Sequence, residues 1–216
     1  MGRSQSLVAC LVCGLLAGCG AVSPPASTLS LSPNDWNLRF CHGVPDHPAA
    51  TGGSAVWYFD FPSGEGSGVD YVTTPYHPTQ DIQGKTLSMT FKVVSNAPIY
   101  GLSDPATYPP IALHLYLERS GDDGTGNGEM QYYRWWCPSG YYNLGSADNT
   151  EVTIFCRLSS ESWTSVRGAT DAAEFQQTLR SLQWIGFTFG GSAGWGHGVN
   201  LQSGTARFEL IDFSVQ

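Results

Sequence analysis

The chain has 216 residues, with 26 Gly, 13 Pro, seven Trp, ten Tyr and ten Phe but only 13% charged residues. That balance argues against a protein of Ala/Leu/Glu/Lys helices and for an all-β domain rich in turns, and the length suits one domain with a substantial core. A formal charge of −8 argues against a nucleic-acid partner and against electrostatic docking on anionic lipid.

The first element in chain order is a leader. Arg3 supplies a positive n-region, residues 7–16 an apolar h-region, and Leu16-Ala17-Gly18-Cys19 a small-residue run ending in cysteine. The run is short of the roughly 20 residues that cross a bilayer. It resembles the processing signal of bacterial lipoproteins, which implies a signal peptide over residues 1–18 and acylation of Cys19, the lipid-bilayer contact. An ordinary secretory signal cut elsewhere, for instance after Ala21, is the alternative. In such lipoproteins an Asp after the acylated Cys favours retention at the inner membrane. Gly20 stands there instead, so the resemblance implies the outer membrane of the bacterial cell envelope.

Residues 19–33 are small, polar and proline-containing, the composition of a flexible tether. Residues 34–216 then alternate short apolar segments with Gly/Pro/Asp/Asn/Ser clusters, which predicts strands and turns. The clearest strands are 56–61, 86–94, 111–119, 129–137, 151–158, 184–190 and 206–215. One short helix is expected over 172–182, capped by Asp171, with Phe175, Leu179 and Leu182 on one face. Strands without intervening helices pair antiparallel, so the predicted fold class is an all-β, two-sheet antiparallel β-sandwich of jelly-roll type.

Cys10 and Cys13 leave with the leader, so Cys41, Cys137 and Cys156 remain beside the acylated Cys19. An exported compartment permits a disulfide, and Cys137 and Cys156, closest in sequence and on strands expected to be adjacent, are the favoured pair. A metal site is the competing use, but after the leader no C-x-x-C or H-x-x-x-H spacing occurs.

Period-two reading of 111–119 puts Ile111, Leu113, Leu115 and Leu117 toward the core and Ala112, His114, Tyr116 and Glu118 on the other side. With a hairpin turn over 120–128, Tyr132, Arg134 and Trp136 fall opposite this polar row, and Tyr133 and Trp135 join the leucines. Strand 151–158 turns Thr153, Phe155 and Arg157 the same way. Three strands would thus share one face. A sugar needs that mixture, since an aromatic plane covers the C–H side of a pyranose while charged groups bond its hydroxyls. The predicted ligand-binding residues are therefore His114, Tyr116, Tyr132, Arg134, Trp136, Phe155 and Arg157. Coverage of this face by loops and use as a protein-contact surface are the competing readings.

The turn carries oxygen side chains at Asp123, Thr125, Asn127 and Glu129, alternate positions as in calcium loops, though a solvated hairpin turn has the same composition. The glycine-rich run 190–198 lacks the helix and Lys of a phosphate loop; Trp195 in it is either a further ligand contact or a plug over the sandwich end. Glu118 and Glu129 flank the turn and are the carboxylates a glycoside hydrolase would pair.

Residues 81–91, 163–168 with 182–187, and the closing strand 206–215 resemble the jelly-roll domains of carbohydrate-binding modules and other galactose-binding-like proteins. The resemblance implies a ligand on the concave sheet or at loop tips, and a structural calcium, although Ile211-Asp212 stands where many relatives carry paired acidic residues. The combined expectation is a lipid-anchored envelope protein with a non-catalytic domain for poly- or oligosaccharide. The alternatives are a protein-interaction module of the envelope and a polysaccharide-active hydrolase or lyase.

Overall fold

The computed structural model describes residues 29–102, 111–146, 149–191 and 196–216. Cys19, the signal peptide and Trp195 lie outside them. The strands are β1 (Asn37–Arg39), β2 (Ala49–Ala50), β3 (Trp57–Asp60), β4 (Tyr71–Pro75), β5 (Thr86–Leu102), β6 (Ala112–Arg119), β7 (Arg134–Asn143), β8 (Glu151–Arg157), β9 (Thr164–Ser165), β10 (Leu182–Gly190) and β11 (Val199–Val215), with helix α1 (Ala172–Arg180) before β10. They form a β-sandwich of a six-stranded sheet, β1-β4-β10-β6-β7-β9, and a five-stranded one, β2-β3-β11-β5-β8. Every strand pairing is antiparallel.

Alternation builds the core between the sheets. The β5 positions Leu87, Met89, Phe91 and Val93 meet Leu113, Leu115 and Leu117 of β6, while Phe187 and Phe189 of β10 face Trp57, Phe59 and Phe208. Phe187 lies 4.9 Å from Phe208 and is stacked on Trp57 at 6.5 Å, ring to ring. On β11 the pattern runs Ala206, Phe208, Leu210, then changes parity to Phe213 and Val215. A bulge between Leu210 and Asp212 absorbs the extra residue and keeps both halves inward.

Asp171 caps α1 by accepting from the amides of Ala173 and Glu174. Phe175, Thr178 and Leu179 are the buried helix residues; Thr178 accepts from Trp135 Nε1 at 3.0 Å and donates to the Tyr132 carbonyl. Folded structure begins ahead of residue 34: Leu29 is buried, Trp36 Nε1 donates to the Ser30 carbonyl, and Pro33–Asp35 forms a 3-10 turn. The expected tether is therefore shorter at its C-terminal end.

A disulfide joins Cys137 to Cys156. The two strands are not neighbours in one sheet as expected, because β7 belongs to the six-stranded sheet and β8 to the other. The bond ties the two layers together across the core. Cys41 is the free cysteine among the described residues, and burial pushes its thiol up to about 12, which holds it in the unreactive protonated form.

Candidate functional site

The outer face of the six-stranded sheet collects the chemistry. Strand registers set its side chains in three rows running across the strands. The first is Arg39, Tyr71, Thr188, His114 and Tyr141; the second is Asn37, Thr73, Gly186, Tyr116, Trp136 and Thr164; the third is Pro75, Trp184, Glu118 and Arg134. Tyr71, Tyr116 and Trp136 form a cluster of their own, separate from the main core. Tyr71 meets Tyr116 edge-on at 5.1 Å, and Tyr116 meets Trp136 at 5.2 Å.

Ion pairs surround this cluster. The Arg39 guanidinium grips Glu118 with two parallel bonds of 2.8 and 3.0 Å, and Tyr116 Oη donates to the same carboxylate at 2.7 Å. Arg39 also lies over the Trp184 ring at 4.6 Å. Arg134 Nε stands 3.0 Å from Asp122 Oδ2, close enough for an ion pair but without the alignment of a hydrogen bond, and its Nη2 donates to the Gly124 carbonyl. Trp136 Nε1 donates to Thr188 Oγ1 at 2.9 Å. Burial raises the pKa of Tyr71, with Arg134 pulling it part of the way back, and raises that of Tyr116 further. Both phenols are neutral hydrogen-bonding groups at ordinary pH.

Two rings on this side stand open. Phe40, directly after β1, is 64% exposed and meets Tyr71 edge-on at 5.4 Å; Tyr141 is 47% exposed and stacks over His114 at 5.5 Å. Each stands at a break in the regular backbone. Phe40 has φ +58°, the left-handed region that a bulky side chain rarely adopts. In β7 the pairing jumps from Trp136 opposite Tyr116 to Tyr141 opposite His114, an irregularity that places Tyr141 on the same side as Trp136 although the two are an odd number of positions apart. At the Tyr71 end, an added Cβ on Gly196 would fall 2.6 Å from Tyr71 Oη, so the backbone at Gly196 packs against this ring.

The expected site divides accordingly. His114, Tyr116, Arg134 and Trp136 do share this face, and the hairpin register is the one the alternation predicts. His114, Tyr116 and Trp136 are nevertheless buried: their rings pack on neighbours and form a floor, which corrects the picture of open stacking platforms. Burial also lowers the His114 pKa to about 4, so the ring is neutral. Tyr132 sits elsewhere, in a 3-10 turn (Gly128–Tyr132), stacked on Trp135 and packed against the main core. Phe155 and Arg157 are on the other sheet, opposite Ser88 and Thr86, because β8 pairs with β5 and not with β7. Phe155 is 65% exposed there.

The turn suspected of holding calcium is organised by its own bonds. Asp123 Oδ1 accepts from the Thr125 amide and hydroxyl, and Asn127 Oδ1 accepts from Arg167. Among the described residues no group of three or more His, Cys, Asp or Glu is placed to hold a metal ion. Glu129 is exposed in the 3-10 turn, while Glu118 is buried and engaged by Arg39 and Tyr116.

Sequence reasoning missed Arg39, Phe40, Tyr71, Asp122 and Tyr141. A signal for Tyr71 existed, since Tyr71-Val72-Thr73-Thr74 is a β-branched and aromatic run ended by Pro75. Nothing local marks Phe40 or Tyr141.

No protein-family model and no curated protein matches the sequence. Among solved structures the chain is similar to a xylan-binding module, CBM15, at 9% identity and a TM-score of 0.41, over 82% of this chain and 90% of that one. It is also similar to a native family 12 xyloglucanase from Bacillus licheniformis, at 11% identity and a TM-score of 0.28, over 89% of this chain and 97% of that one. Likeness this weak transfers neither substrate nor activity.

Proposed function

We propose that this protein is a non-catalytic polysaccharide-binding domain whose ligand lies on the outer face of the six-stranded sheet, and that acylated Cys19 holds it at the bacterial cell envelope. One observation carries the binding reading: two exposed rings, Phe40 and Tyr141, stand on this face above a floor of His114, Tyr116 and Glu118 that is itself buried. Exposed rings cover the C–H faces of pyranoses. The non-catalytic reading rests on the carboxylates. Glycoside hydrolysis needs two acids free to exchange protons across a cleft, whereas Glu118 and Asp122 are each committed to an arginine.

Affinity electrophoresis through gels containing xylan, xyloglucan, mannan, pectin or soluble cellulose derivatives tests the binding reading. At least one gel should retard the wild-type protein relative to a gel without polysaccharide, with no release of reducing ends on incubation. Unretarded migration in every gel would sink the binding reading, and reducing-end release would sink the non-catalytic one.

A further inference from the structure

We infer that the free edge of β8 pairs antiparallel with β8 of a second copy of this chain, joining two five-stranded sheets into one continuous sheet. Four strands stand at the edges of the two sheets, and three of them are short: β2 and β9 have two residues each and β1 has three. The fourth, β8, has seven and is paired to β5 without a register shift. It carries no Pro, no Lys and no bulge, the devices that keep an edge from recruiting another strand. Val152, Thr153, Ile154 and Phe155 at its centre are all strong strand formers.

The backbone phase points the right groups outward. The Leu158 amide donates to the Lys85 carbonyl and the Leu158 carbonyl accepts from Gly84, while Thr86 and Gln216 exchange both bonds on the other side of β5. Alternation along the ladder then turns Val152, Ile154 and Cys156 toward β5 and aims the amides and carbonyls of Glu151, Thr153, Phe155 and Arg157 away from it. The Arg157 carbonyl accepts from Trp163 Nε1 at 2.8 Å and from the Ser159 amide, which ends the open edge there. Charge selects the register. With Ile154 on a two-fold axis, Thr153 stands opposite Phe155 of the second copy and Glu151 opposite its Arg157, each pair repeated by symmetry. Centring the axis on Thr153 or Phe155 loses both ion pairs. Within one chain Glu209, Lys92 and Glu151 already form a row of alternating sign across β11, β5 and β8, and Arg157 of the second copy continues it. Phe155 is 65% exposed; in this register the two Phe155 rings become diagonal neighbours at about 7 to 8 Å, within reach of each other. The six-stranded sheet contributes nothing to this edge, so the pairing is independent of the glycan reading above.

Two differently tagged copies of the full chain, co-expressed in a bacterium and extracted in mild detergent, should co-purify. Glu151→Arg in both copies sets like charges against each other at both ends of the pairing and should cut recovery about tenfold, as should Arg157→Glu. The charge-exchanged variant Glu151→Arg/Arg157→Glu should restore recovery. Thr153→Pro removes an amide that points to the free edge and none that bonds to β5, so it should abolish co-purification while the protein still unfolds in one cooperative transition. The register has its own readout. Thr153→Cys in one copy and Phe155→Cys in the other should form a disulfide between copies, because a hydrogen-bonded pair stands about 5.5 Å apart at Cα; Thr153→Cys in both copies should cross-link far less. Glu151→Arg should leave retardation in polysaccharide gels as it is in the wild type. Wild-type copies that fail to co-purify, or recovery unchanged by the charge reversals and by Thr153→Pro, would overturn the pairing and leave the glycan reading untouched. Recovery of a different protein, lost in Thr153→Pro and with no second copy present, would also overturn it by assigning the edge to another strand donor.

Discussion

Glu118 shows how one side chain ties the face together. Its side chain is 6% exposed and takes three bonds, two from Arg39 and one from Tyr116. Breaking a largely buried ion pair by removing one charge leaves the other uncompensated, at about 3 kcal/mol. Glu118→Gln should therefore lower the urea-unfolding free energy by about that amount, whereas Glu129→Gln in the exposed turn should change it little. Two further residues make opposite contributions to the pH dependence of stability. Burial raises Asp70 to about 7 from an unfolded value of 3.8, and one of its carboxylate oxygens is buried without a hydrogen-bond partner. Between pH 3.8 and 7 the native state binds more protons at this group than the unfolded one does, so its contribution to stability falls as pH rises. Burial lowers His114 to about 4 from 6.5. Between those values the unfolded state binds more protons, so that contribution grows as pH rises. Relative to wild type, Asp70→Asn should make the melting temperature climb more steeply from pH 4 to 6.5, and His114→Gln should make it climb less. Calorimetric scans of the three proteins across that range would read the ordering, and the reverse order would show that other groups set the shifts.

At the level of elements, strand β7 does two jobs at one irregularity. The residues between Trp136 and Tyr141 include Cys137, whose bond to Cys156 of β8 ties the two sheets together. A cross-link over a sequence separation of 19 is worth about 3 kcal/mol on the chain-entropy account. The double variant Cys137→Ser/Cys156→Ser should lose roughly that much in denaturant unfolding. It should also loosen Tyr141, which would appear as weaker glycan binding under conditions where the variant is still fully folded. This strand also marks how far the sequence could be read. The leucines of β6 followed from alternation, and the Tyr116–Trp136 pairing from alternation with a hairpin turn over 120–128, although β6 proves to be buried on both faces. The start of the helix followed equally directly from its cap, but it ends at Arg180, and Leu182, expected on its buried face, opens β10 instead. Tyr141 did not follow, since a register jump breaks the period that sequence reading relies on. Nor did Phe40, whose positive φ has no glycine or asparagine to announce it. Phe155 and Arg157 were misassigned for a different reason. Their alternation was right, but period two is silent on which sheet a strand joins, and β8 crosses to the other layer.

For the whole molecule, the sandwich and its attachment have to be considered together. The leader holds one of the ten basic residues and none of the 18 acidic ones, so a processed chain is more acidic still than the whole. Such a domain is repelled by anionic lipid, and among the described residues no helix is long and apolar enough to cross a membrane. The anchoring proposed above places attachment on acyl chains at Cys19. One acyl chain gives only marginal, reversible binding, and stable anchoring takes two signals; an N-acylated, diacylglyceryl cysteine supplies more than one chain. Folded structure is present by Leu29, about ten residues after the proposed anchor Cys19, a span that at roughly 3.3 to 3.6 Å per fully extended residue sets an upper limit of some 35 Å on the separation. Expressed in a bacterium, the wild type should incorporate labelled palmitate and partition into the detergent phase on cloud-point extraction with Triton X-114. Cys19→Ser should lose the label, move to the aqueous phase and keep the same polysaccharide retardation, because the lesion lies outside the sandwich. A Cys19→Ser protein that still partitions with detergent would show that attachment comes from another part of the chain.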